Sequence, residues 1–362
     1  MPVYLNVKYP GPERRTGLNW PRVAPGLLKT PRSTFLHIGL VNNIGDGAMG
    51  ATEDQFLTLL QAAAGDMLIH VTLYSLPEVV RKSSGQRRVG SFYRSIDELW
   101  EQPPEQYPDG LIVTGREPLT RDLRDEAYWH RLNRILTWTR DHARSAVWSC
   151  LAAHAAVLAL DGIERVRSQQ KHFGIFTCEH ATAHALLAGA TPSVRVPHSR
   201  WNGISADQLA AKGYQVLTRT SDGVVDTFVK QDTGLLVFFQ GHPEYESKTL
   251  LGEYRRDVGR FLKGEMETYP LLPLNYFEDE TERALREIEV QARASRQENL
   301  LSEVSAVLDN VQIHNTWRST AALIYRNWLT HLWTRRRPSS GVRRVKSPLN
   351  TVAPMPIRLP SS

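Results

Sequence analysis

Short apolar runs recur through the first two-thirds of the chain, each followed by a turn-forming stretch and then by apolar residues at helical spacing. Residues 35–41 read as a first buried strand, and a Gly-rich loop spans 42–51. Thr52-Glu53-Asp54-Gln55 matches a capping box, behind which Phe56, Leu59, Leu60 and Ala63 fall on one helical face. Further short runs rich in β-branched residues, at 67–74 and 109–115, predict the next strands. A helix over 126–144 would bury Trp129, Leu132, Ile135 and Leu136, a stripe that belongs to a core. It feeds a strand at 145–149, which ends at Cys150 ahead of an Ala-rich helix over 151–160.

Alternation of buried strands with helices predicts an α/β fold, a doubly wound, mostly parallel sheet with helices on both faces. Strands near 194–196, 214–218, 224–230 and 235–239 complete it, and the close spacing of the last three predicts an antiparallel edge or hairpin. Residues 1–34, with six prolines and no sustained periodicity, predict an extended N-terminal arm around the 35–277 core. A helical C-terminal extension is expected over 278–334. Within it, residues 277–311 read as one exposed amphipathic helix, and the aromatic-aliphatic stripe of 316–333 as core or dimer interface.

The chain carries a formal +6, but its distribution matters more than its size. Seven cations and no acids lie from Arg335 onward, leaving residues 1–334 at −1. The tail over 335–362 therefore predicts a disordered, basic, solvated end, and nucleic acid is not the expected partner. Two distant cysteines without a CxxC pair provide neither a disulfide framework nor a zinc site. No stretch has the length and apolarity of a membrane span, and a cytoplasmic protein is expected. The loop at 42–50 lacks both the G-x-G-x-x-G order and a Gly-Lys-Ser/Thr ending, so no nucleotide cradle is expected there, and no metal-ligand spacing occurs.

Chemistry is concentrated at two strand ends. Gly241-His242-Pro243-Glu244-Tyr245 follows the apolar run 235–239 and sets an imidazole and a carboxylate two residues apart, a base with its own orienting acid. Cys150, at a strand-to-helix turn, would sit at a helix N-terminus, where the dipole and a nearby imidazole favour a thiolate. Taken singly, Cys150 could be a packed core thiol and His242 a hydrogen-bonded strand-end histidine. Together, at the ends of parallel strands where α/β folds place their sites, they point to Cys-His-Glu catalysis. Cys178, in a strand-like run with no helix behind it, reads as structural.

A set of motifs in collinear order resembles the homoserine O-acyltransferases of the succinyltransferase type. They are residues 51–60, 109–115, Tyr128-Trp129, the Cys150 turn, Pro197-His198-Ser199-Arg200, residues 241–245, residues 253–257 and Trp317-Arg318-Ser319. The resemblance covers about residues 35–335. It implies a flavodoxin-like core similar to class I glutamine amidotransferases, generally as a homodimer. The implied activity uses acyl-CoA as co-substrate, with no cofactor, to make an activated homoserine ester on the route to methionine. It also implies Cys150 as the acyl-accepting nucleophile, His242 as its base and Glu244 as the orienting carboxylate, with Lys171, Ser199 and Arg256 contacting the amino acid.

The chain departs from that family at Leu151 and His154, where an aromatic residue and a glutamine are usual, and in Arg116-Glu117-Pro118, where Ala-Pro is usual after Thr-Gly. Leu119 falls where the family carries Gly for succinyl-CoA or Glu for acetyl-CoA. Leucine would fill space there without repelling a distal carboxylate, and Arg116 and Arg121 could pair with one, so succinyl-CoA is favoured over acetyl-CoA as donor. Oxyanion donors are expected from the Leu151 N–H and a backbone N–H near Gly115 or Arg116. Acyl transfer to another hydroxy amino acid stays open. A glutamine-hydrolysing amidotransferase would usually flank its cysteine with glycines, which Ser149 and Leu151 are not. A non-catalytic binding protein has no need to keep Cys, His and Glu together.

Overall fold

The computed structural model describes residues 2–6, 20, 31–142 and 145–336. Most of the expected N-terminal arm and nearly all of the basic tail lie outside the described residues.

The strands are, in chain order, β1 (Val3–Leu5), β2 (Phe35–Val41), β3 (Leu68–Ser75), β4 (Tyr93–Ser95), β5 (Gly110–Thr114), β6 (Ser145–Ser149), β7 (Val166–His180), β8 (Ser193–Gly203), β9 (Gln215–Thr220), β10 (Val225–Gln231) and β11 (Leu235–Phe239). They form one sheet in the order β1-β3-β2-β5-β6-β11-β10-β9-β7-β8, with β4 also on β3. From β3 to β11 every pairing is parallel, and counted from β2 the order is 2-1-3-4-5, that of a flavodoxin-like doubly wound sheet. Beyond β11 the pairings turn antiparallel, as the close spacing of the last strands predicts.

The helices are α1 (Met49–Ala64), α2 (Ser83–Phe92), α3 (Asp97–Glu101), α4 (Trp129–Asp141), α5 (Leu151–Asp161), α6 (Ala206–Ala211), α7 (Thr249–Leu262), α8 (Asp279–Ala294), α9 (Leu300–Asp309) and α10 (Arg318–Thr334). Side-chain alternation along the parallel strands decides which face each helix covers. Leu36, Ile38 and Leu40 of β2, with Leu235, Val237 and Phe239 of β11, meet α1 and α10. Leu111 and Val113 of β5, with Ala146 and Trp148 of β6, meet α4 and α5 on the opposite face. The stripe on α10 is core: Ile324, Tyr325, Trp328, Leu329 and Leu332 are buried against the sheet.

Three expectations need correction. The capping box at Thr52 caps nothing: α1 begins at Met49, the Thr52 N–H already donates to the Ala48 carbonyl, and Gln55 reaches Thr249 instead. The amphipathic segment 277–311 is two helices, not one. Ser295 is extended, and between Ala294 and Leu300 the chain has no apolar side chain to keep on a buried face, so α9 folds back beside α8. Leu285, Ile288 and Ala292 of α8 and Leu300, Val304 and Leu308 of α9 then share a third core with Tyr254 and Val258 of α7. The short strand near 194–196 is part of the long β7–β8 hairpin. Its outer half, Val166 paired with Gly203 and Arg167 with Asn202, is polar and carries no apolar alternation to reveal it.

Candidate active site

Cys150 stands where β6 hands over to α5, with φ 55° and ψ −119°, in a region that non-glycine residues seldom adopt. Such a backbone costs roughly 1–3 kcal/mol and turns the side chain out of the strand-to-helix corner. Its N–H donates to the Phe239 carbonyl at 2.8 Å, because β6 and β11 run parallel with Ser149 opposite Phe239. The nucleophile candidate and the His242 turn therefore leave the sheet from strand ends, as expected, and the pairing makes those two strands neighbours.

The His242 N–H is held by the Pro197 carbonyl of β8 at 2.8 Å, and its Nδ1 lies 2.8 Å from Glu244 Oε1. Glu244 is buried, and the Tyr245 ring stacks on the imidazole at 4.1 Å. Burial works against a charged imidazole here, yet the charges of Cys150 and Glu244 and hydrogen bonds to both outweigh it, leaving His242 protonated well above its ordinary range. Gly241 is required by close approach: a Cβ there would come within 2.6 Å of Val196 and 2.8 Å of Asp226 Oδ1.

The first N–H groups of a helix have no intrahelical partner, so the start of α5 offers free donors beside Cys150. Gly115, at the end of β5, faces them, since an added Cβ would lie 2.7 Å from the Leu151 nitrogen and 2.9 Å from that of Ala152. Thr114 is fixed by Asn43, whose backbone N–H and side-chain amide both donate to it. Arg116 follows, its guanidinium over the Tyr128 ring. Leu119 lines the cleft but is 79% exposed, so it does not plug an enclosed pocket. Glu126 binds the backbone N–H groups of Leu119 and Thr120 and lies ahead of α4, not within it.

Across the cleft, the hairpin and α7 bring the remaining expected residues together. The Ser199 hydroxyl donates to Glu253 Oε2 at 2.5 Å, and the Tyr245 hydroxyl to Glu253 Oε1 at 2.6 Å. Asp257 receives Lys171 at 3.5 Å and Arg256 at 2.8 Å. The sequence reading missed the parts played by Glu253 and Asp257. The available signal was their spacing with Arg256, which puts all three on one face of α7. The whole cleft has a volume of about 2860 Å³.

His154 lines the cleft one turn into α5 but is held by its own partner. It is buried, its Nε2 is 2.9 Å from Gln240 Oε1, and burial, with the Arg200 charge, lowers it to about 3. One group of the described residues has the composition of a metal site: Cys178, His198 and Asp226, with ligand atoms within 4.8 Å of one another. Its Asp226 oxygens and its His198 Nδ1 are already engaged. Asp226 accepts from Thr218, Thr227 and the Gly241 N–H, and the Arg200 guanidinium donates to His198 Nδ1 at 3.1 Å, placing a fixed positive charge where a cation would be repelled.

A family model described as homoserine O-succinyltransferase matches residues 29–339. The homoserine O-succinyltransferase of Rhodopseudomonas palustris is 42% identical over 304 residues, 84% of this chain and 90% of that protein. That of Bradyrhizobium japonicum is also 42% identical, over 298 residues, 82% of this chain and 90% of that protein. Among solved structures, a glutamine amidotransferase from Methylobacillus flagellatus is 14% identical, with a TM-score of 0.48 over 86% of this chain and 99% of that one.

Proposed function

The chain belongs to the homoserine O-succinyltransferase family, and from that premise we propose that it moves a succinyl group from succinyl-CoA to the homoserine hydroxyl through a thioester on Cys150. The observation that carries the mechanism is the convergence of a strained Cys150 elbow with a His242 imidazole kept protonated by Cys150 and Glu244.

In the first half, Cys150 Sγ attacks the thioester carbonyl and His242 gives its proton to the departing CoA sulfur. The Leu151 N–H, with a backbone N–H near Gly115 or Arg116, takes the oxyanion. Having given up that proton, His242 is left neutral and able to accept another. In the second half, the homoserine hydroxyl loses its proton to His242 and attacks the acyl-enzyme, and Cys150 departs as thiolate. Glu244 keeps Nδ1 protonated throughout. Arg256 offers a planar fork for the α-carboxylate, Lys171 a second cation, and Ser199 a hydroxyl already oriented by Glu253.

Intact-protein mass spectrometry after incubation with succinyl-CoA tests the covalent step. The wild type should gain one succinyl group and lose it on adding homoserine. Cys150→Ala should gain none, and Cys178→Ala, altering a buried residue, should still be acylated. Acylation of Cys150→Ala, or turnover within tenfold of wild type, would remove the mechanism.

A further inference from the structure

The cations lining the cleft are not equally engaged. On the acceptor side, Lys171 and Arg256 share Asp257. On the opposite side, Arg124 is paired with Asp122 and Glu164. Arg116, Arg121 and Arg165 also line this side, and among the described residues no carboxylate oxygen lies within 4.0 Å of their guanidinium nitrogens. The buried acid nearby is committed elsewhere: one oxygen of Glu126 accepts from the Leu119 N–H at 2.6 Å, the Thr120 N–H at 2.8 Å and the Thr120 hydroxyl at 2.9 Å. The loop after β5 is thus cinched by its own acid, and the charges of Glu126, Asp122 and Glu164 reach Arg165 without any of these carboxylates pairing with it directly.

Arg165 is the most constrained of the three. Its Nη2 donates to the Arg121 carbonyl at 3.0 Å, whereas its Nη1 is buried and has no hydrogen-bond partner. Burial pulls the guanidinium below its ordinary range. A buried donor without an acceptor is costly, and a fold keeps one where a ligand supplies the acceptor. The charges of both Arg116 and Arg165 act on the Tyr128 hydroxyl, so the two lie about one tyrosine. Arg116 directly follows Gly115, which packs on the start of α5 beside Cys150. The recess therefore adjoins the acyl-transfer point within the same cleft.

We propose that Arg165, with Arg116 beside it, binds an anionic group of the acyl-CoA donor. This rests on the reading above that acyl-CoA is the donor. The ligand chemistry is an oxyanion able to accept two parallel N–H bonds from a guanidinium. Two parts of the donor present one, the distal carboxylate of the succinyl group and the phosphates of CoA.

Steady-state kinetics of Arg165→Ala and Arg165→Lys, with succinyl-CoA and acetyl-CoA as donors and free CoA as inhibitor, test the assignment. Arg165→Ala should raise the KM for succinyl-CoA on the order of ten- to hundredfold, as expected for a lost charged hydrogen bond, with the KM for homoserine within about twofold. Arg165→Lys keeps the charge but not the fork and should fall between. A loss confined to succinyl-CoA, with CoA inhibition unchanged, identifies the carboxylate as the anion. Weaker binding of both donors and of CoA identifies the phosphates. Unchanged donor KM in either folded variant, or equal losses for donor and homoserine, overturns the proposal. If wild type itself takes no acyl group from either donor, it is the acyl-CoA reading that falls; an acylated wild type beside variants of unchanged donor KM sinks the Arg165 assignment alone.

Discussion

The two residues of the proposed catalytic base differ in how replaceable they are. His242 has three constraints, the Pro197 carbonyl on its N–H, Glu244 on its Nδ1 and Tyr245 stacked on its ring, so its orientation survives the loss of one of them. Among the described residues, Glu244 makes one side-chain hydrogen bond, through Oε1 to His242, while Oε2 is buried without a partner. A glutamine could still accept the Nδ1 proton but would bring no charge to stabilise the imidazolium. Glu244→Gln should therefore lose less kcat than His242→Ala, which should cost on the order of two to four decades. Equal or inverted losses in folded variants would mean that Glu244 contacts substrate or is itself the base.

At the level of elements, the His242 turn depends on how closely three strands approach. Gly241 sits against Val196 of β8 and Asp226 of β10, and Asp226 accepts its N–H at 3.2 Å. A methyl at this position would meet atoms that cannot easily withdraw, since Asp226 is also held by Thr218 and Thr227. Gly241→Ala should displace the turn that carries His242, lowering kcat at least tenfold and stability by about 1–3 kcal/mol, the usual cost of overpacking. Circular dichroism and thermal melting alongside kinetics at 25 °C would check this. A fully active, equally stable variant would show that the sheet end yields without moving the imidazole.

Across the whole molecule, buried neutral histidines link stability to pH. Burial lowers His37 and His154 to about 3 and His198 to about 4, from 6.5, with Arg32 or Arg200 adding to the effect. Below pH 6.5 the unfolded chain takes up protons that the fold refuses. Their contribution is therefore complete above 6.5 and is lost as pH falls through 6.5 toward about 4 for His198 and about 3 for His37 and His154. Each can add a slope of at most about 1.4 kcal/mol per pH unit. His242, held protonated in the fold, adds no such uptake there. Urea midpoints should fall steadily between pH 6.5 and 4.5, and His154→Gln should flatten the slope. A level profile would mean that these histidines take protons without unfolding.

The parallel sheet, its helices and the Cys150, His242 and Glu244 positions were legible in the sequence because each rests on a local signal. Apolar runs alternate with helical stripes, and the two candidate positions stand at strand ends within a few residues of their cues. The tertiary structure decided what depends on pairing between distant polar residues. Ser199 meets Glu253 and Lys171 meets Asp257 only because the β7–β8 hairpin returns over α7, and its outer half is too polar to announce itself. Arg165, in a short connection between α5 and β7, looks like a solvated arginine until the fold buries one of its nitrogens without an acceptor. The apolar period is written along the chain, because burial acts on every turn of a helix and every second residue of a strand. Polar partners across the cleft have no period, and only closure of the sheet sets them face to face.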